Sequence, residues 1–302
     1  FYRDENKKVI ALFDECPHRS APLSSGKVIG NEIQCGYHGF RFNKQGTCTW
    51  VPGQKKIPSK AFVKSYPVIE KWKWIWVWMG QRELADEELV PNFWWNDNSN
   101  WAMMEGPYFN FKGNYKLIVD NLLDGSHVSF VHSSTLGTED VANIPTKTKW
   151  DELNVRTERW ILDKPPAPMY KKIGNFENNV DRWQLIDFVP PNNVVLDTGS
   201  CNVGTKKELG FNLVPVNSMT PETENSTHVF WAHNRNFQLN SNNMNNLIKD
   251  QMTTAWLEDL VIMEQQQIRI QKNKKKFIPI KIDKAPERAR KIIYNLINSE
   301  NK

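Results

Sequence analysis

CPHRSAPLSSGKVIGNEIQCGYHGF, residues 16–40, decides the reading of this chain. It holds Cys16-Pro17-His18 and, after 16 intervening residues, Cys35-Gly36-Tyr37-His38. Two loops, each carrying one thiol and one imidazole, can hold a pair of bridged irons, with both thiolates on one metal and both imidazoles on the other. Replacing two thiolates by neutral imidazoles removes negative charge and raises the reduction potential above that of an all-cysteine cluster. Pro17 fixes one backbone angle and Gly36 permits unusual ones, which helps shape the two loops. The same four residues also satisfy a tetrahedral zinc ion, and spacing alone leaves that alternative open.

A second donor set follows at Asp124-Gly125-Ser126-His127 and His132. Two histidines and a carboxylate on one face of a single iron leave its other positions free for dioxygen. Asn114 to Val131 is expected to be helical, because Leu117, Ile118, Leu122 and Leu123 fall near helical spacing. Asn121, Asp124 and His127 then recur every three residues along a shared stripe. His132 is five residues past His127, about 140° around an ideal helix, so the helix must loosen or end near Val128 to His132. A third ligand should be a carboxylate from elsewhere, and Glu258, Asp259 and Glu264 compete for that place.

With 302 residues, 39% of them hydrophobic and 12% aromatic, the chain is long enough for two domains. Its net charge of +5 is modest. The basic run Lys272 to Lys276 reads as a solvated loop, since no recognition motif or aromatic ladder accompanies it, so nucleic acid is not an expected partner. Cys48 and Cys201 have no framework spacing, which suits a reducing, cytoplasmic setting. No run approaches the roughly 18 apolar residues of a membrane span. The chain opens on Phe1-Tyr2-Arg3, without methionine and within an apparent strand, so its natural start is expected upstream.

The expected organisation is α+β: an N-terminal antiparallel β domain with its linker over 1–95, and a second domain over 96–302 with an antiparallel sheet covered by helices. Val9 to Phe13, Glu32 to Gln34 and Phe40 to Phe42 are short strand-like runs broken by Gly and Pro. Trp72-Lys-Trp-Ile-Trp-Val-Trp78 places tryptophan at alternate positions, which predicts a strand whose buried face carries four rings. Asp86 to Asn100 reads as the connection between domains. Later strands are expected over Thr146–Trp160, Arg182–Phe188, Val194–Thr198, Leu209–Val216 and Thr227–Ala232, and helices over Asn245 to about Lys272 and Ala285–Ile297.

CPHRSAPLSSG (Cys16 to Gly26) and CGYHGFRFNKQG (Cys35 to Gly46) closely resemble the Rieske domain of ring-hydroxylating and O-demethylating oxygenases, in which more residues usually precede this point. The run Asn114 to His132 resembles the catalytic-domain signature of the same family. Trp256-Leu-Glu258-Asp259-Leu-Val-Ile-Met-Glu264 resembles its late helix, which picks Asp259 as the third iron ligand beside His127 and His132. Thr220-Pro-Glu-Thr-Glu224, Phe230-Trp231 and Arg235-Asn-Phe237 resemble the branch of vanillate O-demethylase and dicamba monooxygenase.

The resemblance implies a terminal oxygenase with a [2Fe-2S] cluster on Cys16, His18, Cys35 and His38 and a mononuclear Fe(II). It would use O2 to hydroxylate or O-demethylate an aromatic acid. NAD(P)H would act indirectly through a separate reductase or ferredoxin, and no GxGxxG nucleotide fingerprint occurs here. It also implies a homotrimer in which the cluster of one subunit faces the iron of the next, with Asp124 bridging His38 of a neighbour to His127. Asn217 is a candidate substrate contact, although a turn asparagine reads equally well. His228 and His233 read as structural. The rivals are a cis-dihydroxylating dioxygenase, which would share every ligand, and a pure electron carrier, which would need only the first 80 or so residues.

Overall fold

The computed structural model describes residues 1–273 and 277–300; positions 274–276 of the basic run lie outside the described residues. The chain forms two compact units, Phe1–Asn92 and Phe93–Lys302. Phe93 is fully buried, and Asn96 Oδ1 accepts a 2.8 Å hydrogen bond from Asn234 Nδ2. Part of the expected connection therefore packs as second-unit core.

The first unit is built from short antiparallel strands. β1 (Tyr2–Arg3), β2 (Val9–Leu12) and β7 (Ser65–Tyr66) make one sheet, and β3 (Lys27–Ile29), β4 (Glu32–Gln34), β5 (Arg41–Phe42) and β6 (Cys48–Trp50) make another. Their core gathers Leu23, Ile33, Phe42, Val51 and Val63 around Cys16, Cys35 and Cys48. β8 (Val68–Lys71) and β9 (Trp74–Val77) form a separate hairpin. Here the tryptophan pattern misleads: Trp72 and Lys73 have φ of 59° and 60° and form the turn, the left-handed pair that a two-residue hairpin loop needs. Only Trp74 and Trp76 share a strand face, with ring centroids 5.8 Å apart, and the four rings are half-buried rather than buried.

The second unit rests on one eight-stranded antiparallel sheet. Its strands are β10 (Ala102–Glu105), β11 (Phe109–Phe111), β12 (Lys147–Trp150), β13 (Val155–Lys164), β14 (Val180–Val189), β15 (Asn193–Asn202), β16 (Phe211–Thr223) and β17 (Ser226–Arg235). The order is β10-β17-β16-β15-β14-β13-β12, and β11 also pairs with β17. Thr146 to Trp160 is two strands rather than one, because Asp151 Oδ1 accepts the backbone N–H groups of Leu153 and Asn154 at 2.8 Å and closes a turn.

The register puts Val155, Ile186, Phe188, Val194, Leu213, Met219, Val229 and Trp231 on one sheet face, and all of them join the core. Helices α1 (Tyr115–Leu123), α3 (Pro168–Gly174), α4 (Asn242–Asn273) and α5 (Lys284–Glu300) cover that face. Burying an apolar stripe from each side is the arrangement that removes both from water. α1 and α5 are clamped by Arg290, whose Nε lies 2.9 Å from Asp120 Oδ2.

Candidate metal centres

Both loops of the first unit close on themselves. The Cys16 N–H donates to Ala21 O at 2.8 Å, and the Cys35 N–H donates to Phe40 O at 2.8 Å. Asp14 holds the first loop by accepting Ser24 N–H and Oγ–H, each at 2.6 Å. A Cβ on Gly36 would stand 2.6 Å from Ser25 O, so only glycine lets the second loop approach the first this closely.

Cys16 and Cys35 are buried, 1% and 2% exposed, and His18 is exposed. The two imidazoles meet edge to face with centroids 4.5 Å apart, and His18 stacks on Phe40 at 5.0 Å. Burial, reinforced by the neighbouring Cys35 and Cys48, pushes the Cys16 thiol up to about 11. It therefore stays protonated at neutral pH until a metal takes the proton's place. Among the described residues, only one group of three or more His, Cys, Asp or Glu side chains brings its ligand atoms within 4.8 Å of one another, and it lies in the second unit. The Cys/His set thus does not converge on a single ion as zinc would require. Thiols paired at one end and imidazoles facing each other at the other fit a two-iron cluster.

That converging group is His127, His132 and Asp259. Asn114 caps α1 by accepting the Lys116 N–H at 3.1 Å, and the helix stops at Asp124, whose ψ of 91° is extended. The break comes earlier than expected, so Asn121, Asp124 and His127 do not share one helical stripe. After Gly125 and Ser126 the chain resumes as the one-turn helix α2 (Val128–Val131), with His127 and His132 at its two ends. Placing the ligands at opposite ends of a short separate turn is how residues five apart reach one point. Their ring centroids are 5.2 Å apart.

α4 supplies Asp259. Its Oδ1 lies 3.6 Å from His127 Nε2 and its Oδ2 lies 3.1 Å from His132 Nε2. The other ring nitrogens face oxygens: His127 Nδ1 meets the Asp124 backbone carbonyl, and His132 Nδ1 meets Glu258 Oε2 at 2.7 Å. With a metal between the rings and Asp259, those acceptors would keep the proton on each Nδ1 and leave each Nε2 to ligate. Asn121 Nδ2 donates to Asp259 Oδ1 at 3.0 Å. Burial pulls the His132 pKa down, but Asp259 and Glu258 outweigh it and the net direction is up.

The remaining sequence candidates fall in different places. Glu258 is His132's partner rather than a converging carboxylate, and Glu264 accepts the Lys112 N–H at 2.9 Å. The Asp124 carboxylate accepts from Ser126 N–H at 2.8 Å and from the Ser126 hydroxyl, so in this structure the backbone carbonyl of Asp124, not its side chain, orients His127. Asn217 is buried on β16 and donates from Nδ2 to Val194 O at 3.1 Å. His233 is buried, and burial drives it down to about 3. His228 Nδ1 meets the Tyr108 hydroxyl at 2.7 Å and its Nε2 lies 4.0 Å from Glu222. Arg159 and Gln184, which no motif marked, press on Gly125 beside the iron-ligand turn.

Comparison with known proteins agrees with both centres. Residues 1–67 match the Rieske [2Fe-2S] domain, and residues 111–299 match the vanillate O-demethylase oxygenase C-terminal domain. The chain is 36% identical to the toluene-4-sulfonate monooxygenase system iron-sulfur subunit of Comamonas testosteroni, over 99% of this chain and 89% of that one. It is 33% identical to the vanillate O-demethylase oxygenase subunit of Pseudomonas sp. (strain HR199 / DSM 7063), over 99% and 87%. The crystal structure of dicamba monooxygenase bound to dicamba superposes with a TM-score of 0.93 at 30% identity, covering 99% of this chain and 90% of that one. With a Rieske fold around Cys16 and Cys35 in the first unit and a His/His/Asp iron site in the second, this chain belongs to the Rieske non-haem iron oxygenases of the vanillate O-demethylase type, as an oxygenase component.

Proposed function

We propose that the chain is the terminal oxygenase of a multicomponent monooxygenase that hydroxylates a methyl carbon or demethylates a methoxy carbon on an aromatic carboxylate or sulfonate. One oxygen atom of O2 enters the substrate and the other leaves as water, with two electrons supplied through a separate NAD(P)H-dependent reductase or ferredoxin. A methoxy substrate then loses formaldehyde.

The convergence of His127, His132 and Asp259, with the Nδ1 of each histidine facing an oxygen acceptor, carries this reading. In it, Cys16, His18, Cys35 and His38 hold the [2Fe-2S] cluster, and the three second-unit residues hold Fe(II). Bound there, Fe(II) would supply the oxygen-activating chemistry that a His/His/carboxylate donor set leaves room for. Asp259 braces both imidazoles, Glu258 keeps the proton on His132 Nδ1, and the Asp124 carbonyl does the same for His127. Asn217 contributes a polar contact to the substrate pocket. The relatives named above are a toluene-4-sulfonate monooxygenase subunit and a vanillate O-demethylase subunit, which supports an aromatic acid as substrate.

The family's trimeric arrangement, with the cluster of one subunit serving the iron of the next through Asp124, completes the reading. Among the described residues no helix is long and apolar enough to cross a membrane, and all four cysteines are free, which suits work in the reducing cytoplasm.

The test is to purify the protein anaerobically, measure iron and acid-labile sulfide, and assay it with a surrogate reductase on methoxylated and methylated aromatic acids. About three irons and two sulfides per chain are expected, with formaldehyde released from a methoxyarene. Zinc without sulfide would overturn the reading. A dihydrodiol product would move the chain to the cis-dihydroxylating dioxygenases.

A further inference from the structure

β13 alternates in burial, and its helix-facing side carries Val155, Thr157, Arg159 and Ile161. An arginine on that side is costly, because a guanidinium removed from water needs compensating partners. Three arginines are buried on this sheet face: Arg159, Arg182 and Arg235 are 3%, 2% and 1% exposed. Each has an unpartnered Nε among the described residues, so the difference between them lies in the terminal nitrogens.

Arg182 uses both of its terminal nitrogens. Nη2 donates to Leu136 O at 3.2 Å and Nη1 to Thr138 Oγ1 at 3.5 Å, while the group lies over the Tyr170 ring. Arg235 is likewise filled, with Nη1 on Asn245 Oδ1 and Nη2 on Gln238 O at 2.8 Å and Ser241 O at 3.2 Å. Arg159 has a single hydrogen bond, from Nη1 to Gln184 Oε1 at 3.1 Å. Its Nη2 has no hydrogen-bond partner, and no carboxylate forms an ion pair with it, among the described residues. Asp124 attracts it through space but makes no hydrogen bond or ion pair with it; the Ser126 bonds occupy Oδ1 of that carboxylate.

The location matters as much as the deficit. A Cβ on Gly125 would lie 2.9 Å from both Arg159 Nη1 and Gln184 Oε1. The guanidinium therefore packs against the turn that leads from Asp124 to His127, two residues before an iron ligand. A planar fork with one unused edge beside the iron-ligand turn fits the oxygen atoms of a carboxylate or sulfonate.

We propose that Arg159 binds the anionic group of the aromatic acid, carboxylate or sulfonate, and so fixes which end of the substrate faces the iron. This rests on the functional reading above. Gln184 holds one side of the fork and leaves the other for the acid. Arg159 thereby sets specificity for anions without entering the coordination of the metal.

The test is anaerobic calorimetry on iron- and cluster-replete protein, comparing wild type with Arg159→Gln and Arg159→Lys. The probes are 4-methoxybenzoate, toluene-4-sulfonate and the neutral methyl 4-methoxybenzoate. Arg159→Gln should raise the Kd of whichever acid wild type binds by about 100-fold, the scale of losing a buried charge-assisted pair, and leave the ester within about twofold. Arg159→Lys, which keeps the charge but not the fork, should recover part of the loss. The two acids separate carboxylate from sulfonate as the natural headgroup. Iron and sulfide contents matching wild type show that the variants are folded. Unchanged acid binding in Arg159→Gln overturns the proposal and leaves the oxygenase reading standing, as does an equal loss for acid and ester. A replete wild type that binds and oxidises only the neutral ester overturns the proposal together with the acid-substrate reading.

Discussion

His132 is held from both sides by neighbouring residues of one helix: Glu258 Oε2 lies 2.7 Å from its Nδ1, and Asp259 Oδ2 lies 3.1 Å from its Nε2. Adjacent residues on a helix point about 100° apart, so one carboxylate reaches the metal position while the other grips the far side of the ring. Glu258→Ala should lower iron affinity about 10- to 100-fold, the usual cost of losing a carboxylate that orients a histidine ligand, with cluster absorption unchanged. Competitive chelation followed by metal analysis measures it.

Asp259 and Asp124 should separate cleanly. Asp259→Ala removes the carboxylate that both imidazoles face and is expected to abolish bound Fe(II) while the [2Fe-2S] spectrum persists. Asp124→Asn should keep both metal centres but uncouple them, so that reductase-driven product formation falls at least about 100-fold. Full turnover in that variant would end the bridge role.

The raised His132 pKa carries a pH signature. In iron-free protein the ring keeps its proton to higher pH because Asp259 and Glu258 outweigh burial, and iron must displace that proton. Iron affinity should therefore fall as pH is lowered through this raised value. The sign reverses for the apo fold: its gain from protonated His132 is complete below the ordinary histidine value near 6.5 and is lost as pH rises through the folded one. Iron retention on dialysis between about pH 6 and 8 reads the first effect, and Glu258→Gln should shallow its slope.

Arg290 and Asp120 tie α5 to α1. Burial pushes the Asp120 carboxyl up, and Arg290 pulls against it. Arg290→Ala leaves that carboxylate without its partner. Because the arginine is 38% exposed, solvent screening limits the loss to about 1 kcal/mol. The deficit should shrink as pH falls, since protonation removes the stranded charge, and chemical denaturation at two pH values checks both parts.

What the sequence displayed and what it concealed follow a physical division. Cys16, His18, Cys35 and His38 are legible because their chemistry is carried by two short loops with fixed spacing. His127 and His132 come from another local run, whereas Asp259, 127 residues beyond His132, needed the family resemblance to single it out. Glu258 as the partner of His132 was hidden for the same reason: tertiary pairing leaves no local pattern. The Trp72 repeat failed because a period of two does not distinguish a continuing strand from one that turns back at two left-handed residues. Arg159 was concealed by the ordinary expectation that a charged residue in an alternating strand faces water.

α4 is stitched to the segment carrying α1 at three levels. Gln267 Oε1 accepts the Asn114 N–H at 3.0 Å, Glu264 takes the Lys112 N–H, and Asp259 takes the Asn121 side chain. Only Leu122 to Ser126 separate the last of these contacts, at Asn121, from His127. A rigid-body displacement of α4 would drag the histidine-bearing segment along with it, so the distances among the three ligands are insulated from breathing of the wide sheet beneath.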